Sequence, residues 1–171
     1  WDTSSVTNMS YLFYGAGNYG GDVSNWDTSS VTDMSGLFAY TGFSGDLSNW
    51  DTSSVTNMRR MFESNGSFNS DISNWDVSSV TQMAEMFKNA SGFVQDISGW
   101  CVSNITTEPL HFDLYSLNWP EENKPTWGSC TIDTDGDGVT VNEDCDDQDA
   151  DVGLPTDNFY LDSDGDGFGD G

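Results

Sequence analysis

The residues best placed to do chemistry are aspartates at every second position. Asp133, Asp135 and Asp137 precede Gly138, and Asp144 follows. Counted from Asp133, carboxylates fall at positions 1, 3, 5 and 12, the Val139 carbonyl at 7 and glycine at 6. That is the ligand order of a twelve-residue calcium loop, in which alternating acids aim hard oxygens at one centre and glycine lets the chain turn. Asp147, Asp149 and Asp151 repeat the alternation without the glycine. Asp162, Asp164 and Asp166, followed by Gly167, repeat it with the glycine, and position 12 of that loop lies past residue 171. Unneutralised, such like charges repel, so the segment is expected to take its shape from Ca2+. Oxygen ligands with no His or Met beside them favour calcium over copper.

Charge sets the wider frame. The 171 residues carry 29 acidic and 4 basic side chains, a net charge of −25. Residues 133–171 hold 14 of the acids and no base, so two compositional regimes share one chain. Too little cationic surface remains to neutralise phosphates, which excludes routine nucleic-acid binding and disfavours anionic lipid. No apolar run reaches the roughly 18–20 residues needed for a membrane span, so direct membrane insertion is not expected. One His and three Cys leave few parts for nucleophilic or transition-metal catalysis, and the reading is of a non-enzyme. The chain opens on the first residue of a repeat and stops inside an Asp-rich loop, which reads as an excerpt of a longer secreted protein.

What must position these groups is a repeat. Trp1, Trp26, Trp50, Trp75 and Trp100 recur at spacings of 24 or 25 residues, the signature of stacked units. Asp2, Asp27, Asp51 and Asp76 form one column, and Met9, Met34, Met58 and Met83 another. Val6, Val31, Val55 and Val80 continue to Ile105, and Phe13, Phe38, Phe62 and Phe87 continue to Phe112. Within a unit, Val55, Met58, Met61 and Phe62 fall at i, i+3, i+6 and i+7, which predicts a short helix capped from Asp51, Ser53 or Ser54. Asn65-Gly66-Ser67 supplies a turn. Asp71 to Trp75 has the length of one strand, although Ile72 and Trp75, three apart, cannot both face inward from a regular strand. A lone unit buries too little to offset its ordering entropy, so the units are expected to stack into a solenoid with a parallel β-sheet on one side.

The pattern V-T-N-M-x-x-M/L-F followed by F-x-x-D-I-S-N-W-D resembles the BspA-type leucine-rich repeats of bacterial surface proteins, over about residues 1–106. The resemblance implies a leucine-rich-repeat-like solenoid of parallel β-sheet plus short helices at the bacterial cell surface, in a family associated with adhesion. Residues 133–171, the irregular C-terminal calcium-loop segment, resemble thrombospondin type 3 repeats, and that likeness implies calcium binding. Residues 107–132 fit no repeat. Glu108-Pro109 interrupts the Met column and the predicted helix, and a C-terminal cap is the simplest account. Cys101 and Cys130 bracket that cap and are expected to staple it in an oxidising compartment. Cys145 stays unassigned: in the related repeats a Cys at this place pairs with one in the next repeat, and it also competes with Cys101 for Cys130.

Simpler readings cover the remaining motifs. The Trp ladder reads as core packing rather than a sugar platform, and the DTSSVT ladder as capping and turn bonds rather than an ice or polysaccharide surface. The stacked Asp columns must accept backbone hydrogen bonds or hold a cation, and bonds are the preferred reading. His111 reads as structural or solvated, and Arg59, Arg60 and Lys88 as ordinary surface charges. The expected function is therefore a non-enzymatic extracellular module for adhesion or ligand binding. Its partner would be a protein or glycan on a host or neighbouring cell, and calcium would stiffen the connector. The alternative is a structural element of a fibre or stalk, self-associating and without a specific ligand.

Overall fold

The computed structural model describes residues 1–17 and 19–130, so the metal-ligand candidates from Asp133 to Asp166 lie outside the described residues. The chain divides into two compact units, Trp1–Ser129 and Cys130–Gly171.

In the first unit the backbone N–H groups alternate between two kinds of partner. Met58, Arg60, Phe62 and Ser64 donate to the carbonyls of Gln82, Ala84, Met86 and Lys88 in the next repeat, at 2.8–3.0 Å. The residues between them, Met61, Glu63 and Asn65, donate back to Met58, Arg60 and Phe62, at 3.0–3.2 Å. The segment is therefore a run of overlapping turns in which every second N–H crosses to the neighbouring repeat. Arg60 (φ 60°) and Ser64 (φ 56°) take left-handed backbone conformations, each at the third position of such a turn, where a type II turn requires φ above zero. The same two places are left-handed in the other repeats: Tyr11, Gly36, Glu85 and His111 match Arg60, and Gly15, Tyr40, Asn89 and Tyr115 match Ser64.

These turns correct the expected fold class. Among the described residues the one helical element is a 3-10 turn at Glu121–Asn123, and no strand is present. The leucine-rich-repeat-like solenoid of parallel β-sheet plus short helices is not what the described residues form. No α-helix crosses 55–62, because a left-handed residue breaks the i→i−4 ladder. Parallel pairing shrinks to isolated bridges joining Asn8, Asp33, Asn57 and Gln82 in succession. The expected strand at 71–75 is also a turn. Ser73 donates its N–H and its hydroxyl to Asp71 Oδ1, at 3.0 and 2.7 Å, and the Trp75 N–H closes on the Ile72 carbonyl at 3.1 Å. That turn lets Ile72 and Trp75 both point inward.

Burial follows the columns. Val31, Val55 and Val80, Met34 and Met58, and Phe38, Phe62 and Phe87 are fully buried. Phe38 stacks on Phe43 at 4.0 Å, Phe62 on Phe68 at 3.9 Å and Phe87 on Phe93 at 4.3 Å. The indole N–H groups of Trp50, Trp75 and Trp100 each donate to a carbonyl of the preceding repeat, on Val23, Leu47 and Ile72, at 3.0–3.1 Å. The Trp ladder is thus core, with its polar edge satisfied. Repeats approach closely enough that a methyl group on Gly92 would collide with the Gly66 carbonyl oxygen.

The fifth repeat is out of step by one residue. Phe62 donates to Met86, one place before Phe87, whereas Phe87 donates to Phe112 itself. Phe112 therefore occupies the register of Met86, and its ring meets Phe87 edge-on at 5.4 Å instead of stacking. Trp119 fills the vacated space, edge-on to Phe87 and Phe93 at 5.1 and 4.8 Å.

Left-handed residues other than glycine carry strain of about 1 kcal/mol each. Tyr115 (φ 72°) is mostly exposed, so Tyr115→Gly is expected to raise stability by about 1 kcal/mol, read as a higher urea midpoint. Gly36→Ala is expected to lower it, since the new methyl would also meet the Tyr11 ring.

Candidate interaction face

The left-handed turns hold part of the backbone in one shape and leave the side chains at three places per repeat free to differ. Set beside one another through the cross-repeat bonds, these places hold Tyr11, Gly36, Arg60, Glu85 and His111; Tyr14, Ala39, Glu63, Lys88 and Leu114; and Gly15, Tyr40, Ser64, Asn89 and Tyr115. The Val, Met and Phe columns beside them barely vary. This strip gathers much of the exposed aromatic surface, with Tyr11, Tyr14, Tyr40 and Tyr115 each 45–62% exposed, and two of the chain's four bases, Arg60 and Lys88.

Two carboxylates lie beneath those bases. Glu63 and Glu85 are buried. Arg60 bonds Glu85 through Nε and stands 3.5 Å from Glu63. Lys88 lies 3.2 Å from Glu63 and 3.4 Å from Glu85. Arg59 and His111 approach Glu85 more loosely, at 3.7 and 3.9 Å. The Arg60 hydrogen bond holds the Glu85 carboxyl down at about 2, against burial that pushes it up, and Lys88 adds to the drop. The reciprocal bond raises Arg60, and Glu63 raises Lys88. Glu63 also accepts the Tyr40 hydroxyl at 3.0 Å, which raises the phenol. Arg60 and Lys88 are therefore not ordinary surface charges but the lid of a carboxylate pair, whereas Arg59 stays half-exposed at its edge. The signal was present in the sequence, since acids and bases at matching places in successive repeats must face one another.

The other sequence-derived residues divide clearly. Asp2, Asp27, Asp51 and Asp76 each accept the N–H and hydroxyl of the serine two residues on. Asp22, Asp71 and Asp96 do the same, and Asp46 accepts the Ser48 N–H. The serine bonds hold Asp22, Asp46, Asp51, Asp71 and Asp96 below the usual carboxylate range. The hydroxyls of Thr32, Thr56 and Thr81 bond the threonine carbonyl of the preceding repeat. These ladders serve turns and stacking. Cys101 and Cys130 are both disulfide-bonded. Among the described residues no group of His, Cys, Asp and Glu is arranged to hold a metal, and no helix is long and apolar enough to cross a membrane. The calcium ligands expected at Asp133, Asp135, Asp137, Val139, Asp144, Asp147, Asp149, Asp151, Asp162, Asp164 and Asp166 fall outside the described residues.

A buried framework repeated in register, beside a strip of side chains that varies and is partly exposed, defines a repeat protein. The family model described as "Mycoplasma protein of unknown function, DUF285" matches residues 1–42 and 39–118. The chain belongs to that family, a surface-repeat family related to the BspA-like repeats. No curated protein and no solved structure matches the chain.

Proposed function

We propose that the chain is a non-enzymatic extracellular module for adhesion or ligand binding, displayed at a cell surface and continued by a calcium-stiffened acidic connector. The observation that supports this reading is the contrast between columns. Framework positions repeat almost unchanged, whereas the strip carrying Tyr11, Tyr14, Tyr40, Arg60 and Lys88 differs from repeat to repeat and exposes aromatic rings. Side chains that vary on a fixed scaffold suit recognition of a partner, and exposed Tyr and Arg are the residue types that anchor interfaces. Labelled protein is expected to bind host or neighbouring cells, with Tyr14→Ala binding them at least tenfold more weakly. Equal binding by the variant would remove this reading.

The connector rests on donor chemistry. The loop carboxylates and the Val139 carbonyl are hard oxygen donors in the order calcium takes. Calorimetry with calcium is expected to show at least one strong site, abolished by Asp135→Ala, and unchanged heats in that variant would end the calcium assignment.

A further inference from the structure

We infer that the tyrosine end of the strip is a carbohydrate subsite that takes a neutral glycan lying across Tyr11, Tyr14 and Tyr40. This rests on the reading of the strip as the partner-binding face and names the partner's chemistry.

Three observations converge on it. The rings are half-exposed yet held in place. Tyr14 lies 5.6 Å from Tyr11 and 5.3 Å from Tyr40, centroid to centroid. Glu63 fixes the Tyr40 hydroxyl. Tyr11 lies against Gly36, where any side chain would strike its ring. Rings presented this way lose little freedom when a ligand settles on them. Next, Tyr11 and Tyr40 occupy left-handed positions (φ 57° and 58°) that hold glycine in a neighbouring repeat, at Gly36 and Gly15. Large aromatic side chains thus stand where glycine would relieve strain, and their exposed rings offer a contact surface that glycine would not.

The third observation is charge. The bases beside the rings are already matched by Glu63 and Glu85, and the whole chain carries −25. A polyanion would meet that repulsion, and a flat protein surface would have to desolvate the ion pairs, which is expensive. Sugar hydroxyls replace the hydrogen bonds of water at Arg59, Arg60 and Lys88 while the ring faces rest on tyrosine. Arg59, half-exposed and 3.7 Å from Glu85, has donors to spare.

The test uses the full chain and immobilised neutral polysaccharides (mannan, β-glucan, galactan), with polygalacturonate and polyglutamate as the anionic glycan and peptide comparisons. A neutral polysaccharide is expected to retain the protein. Tyr14→Ala should bind at least tenfold more weakly, and Tyr14→Phe like the parent. Both variants should keep the parent's unfolding midpoint, because Tyr14 is half-exposed. The inference is overturned if no neutral polysaccharide is bound, if polygalacturonate or polyglutamate is bound as well or better, or if Tyr14→Ala binds unchanged. Loss of cell binding in Tyr14→Ala without any sugar binding would overturn the glycan and leave the partner face standing. Unchanged cell binding would overturn both.

Discussion

Phe62→Ala is expected to destabilise the protein by about 3–5 kcal/mol, a large share of the 5–15 kcal/mol that holds an ordinary domain. Phe62 is wholly buried. It packs against Phe68 in its own turn, against Phe38 and Phe87 in the flanking repeats, and against Trp75, at centroid distances of 3.9–6.3 Å. Alanine leaves a cavity between three repeats, and the surrounding turns have little freedom to close it, because their alternate N–H groups are fixed to the next repeat. Stability in a stack is close to a sum of each repeat and its two interfaces, so a loss in the middle removes two interfaces at once. Phe13→Ala, in the first repeat, is expected to cost about half as much, since Phe13 is only partly buried and stacks on Phe38 and Tyr19 alone among the phenylalanine and tyrosine columns. Urea unfolding followed by tryptophan fluorescence reads both. Equal losses at the two sites would show that position in the stack does not matter.

The columns that build this core were readable from residue types because burial demands the same side chain in each repeat. Val55, Met58, Phe62 and Trp75 were placed inside on that ground, and inside they are. The backbone that carries them was not readable. Spacing of i, i+3 and i+7 arises equally from a helix and from overlapping turns. What separates the two is the left-handed conformation at Arg60 and Ser64, whose columns hold five and four residue types respectively and so give no local sign. The strand expected at 71–75 failed for a related reason. Asp71 satisfies the Ser73 N–H with its own side chain, so the segment closes on itself instead of pairing with a neighbour. Phe112 shows the limit of column matching, since the added residue lies upstream in 106–109 and only the hydrogen-bond register exposes the slip.

The site divides in the same way. The Asp columns could be assigned to turn bonds from their types alone, whereas the hydroxyls of Thr32, Thr56 and Thr81 bond across to the preceding repeat rather than within a turn. Glu63 and Glu85 were missed because each looks like an ordinary surface acid within its own repeat. Their burial becomes visible only when the third and fourth repeats are set face to face, bringing Arg60 over Glu85 and Lys88 over Glu63.

That pair carries the second large effect. Glu85→Gln keeps the shape of the side chain and removes its charge, leaving Arg60 without its main partner in a mostly buried site. The expected loss near neutral pH is about 2 kcal/mol, the usual scale for a charge-assisted bond whose cations still reach water. Its pH dependence is the sharper test. Glu85 titrates at about 2 when folded, below its ordinary value of 4.5. A depressed carboxylate stabilises the fold above the unfolded value and loses that contribution as the pH falls through the folded one. The gap between parent and variant should therefore be full above pH 4.5 and close as the pH approaches about 2. The turn aspartates also weaken the fold in acid, but they are present in both proteins and cancel in the difference. Urea midpoints at several pH values measure the gap directly, and a gap that stayed constant into acid would show that the Glu85 carboxylate is not what holds the strip's cations.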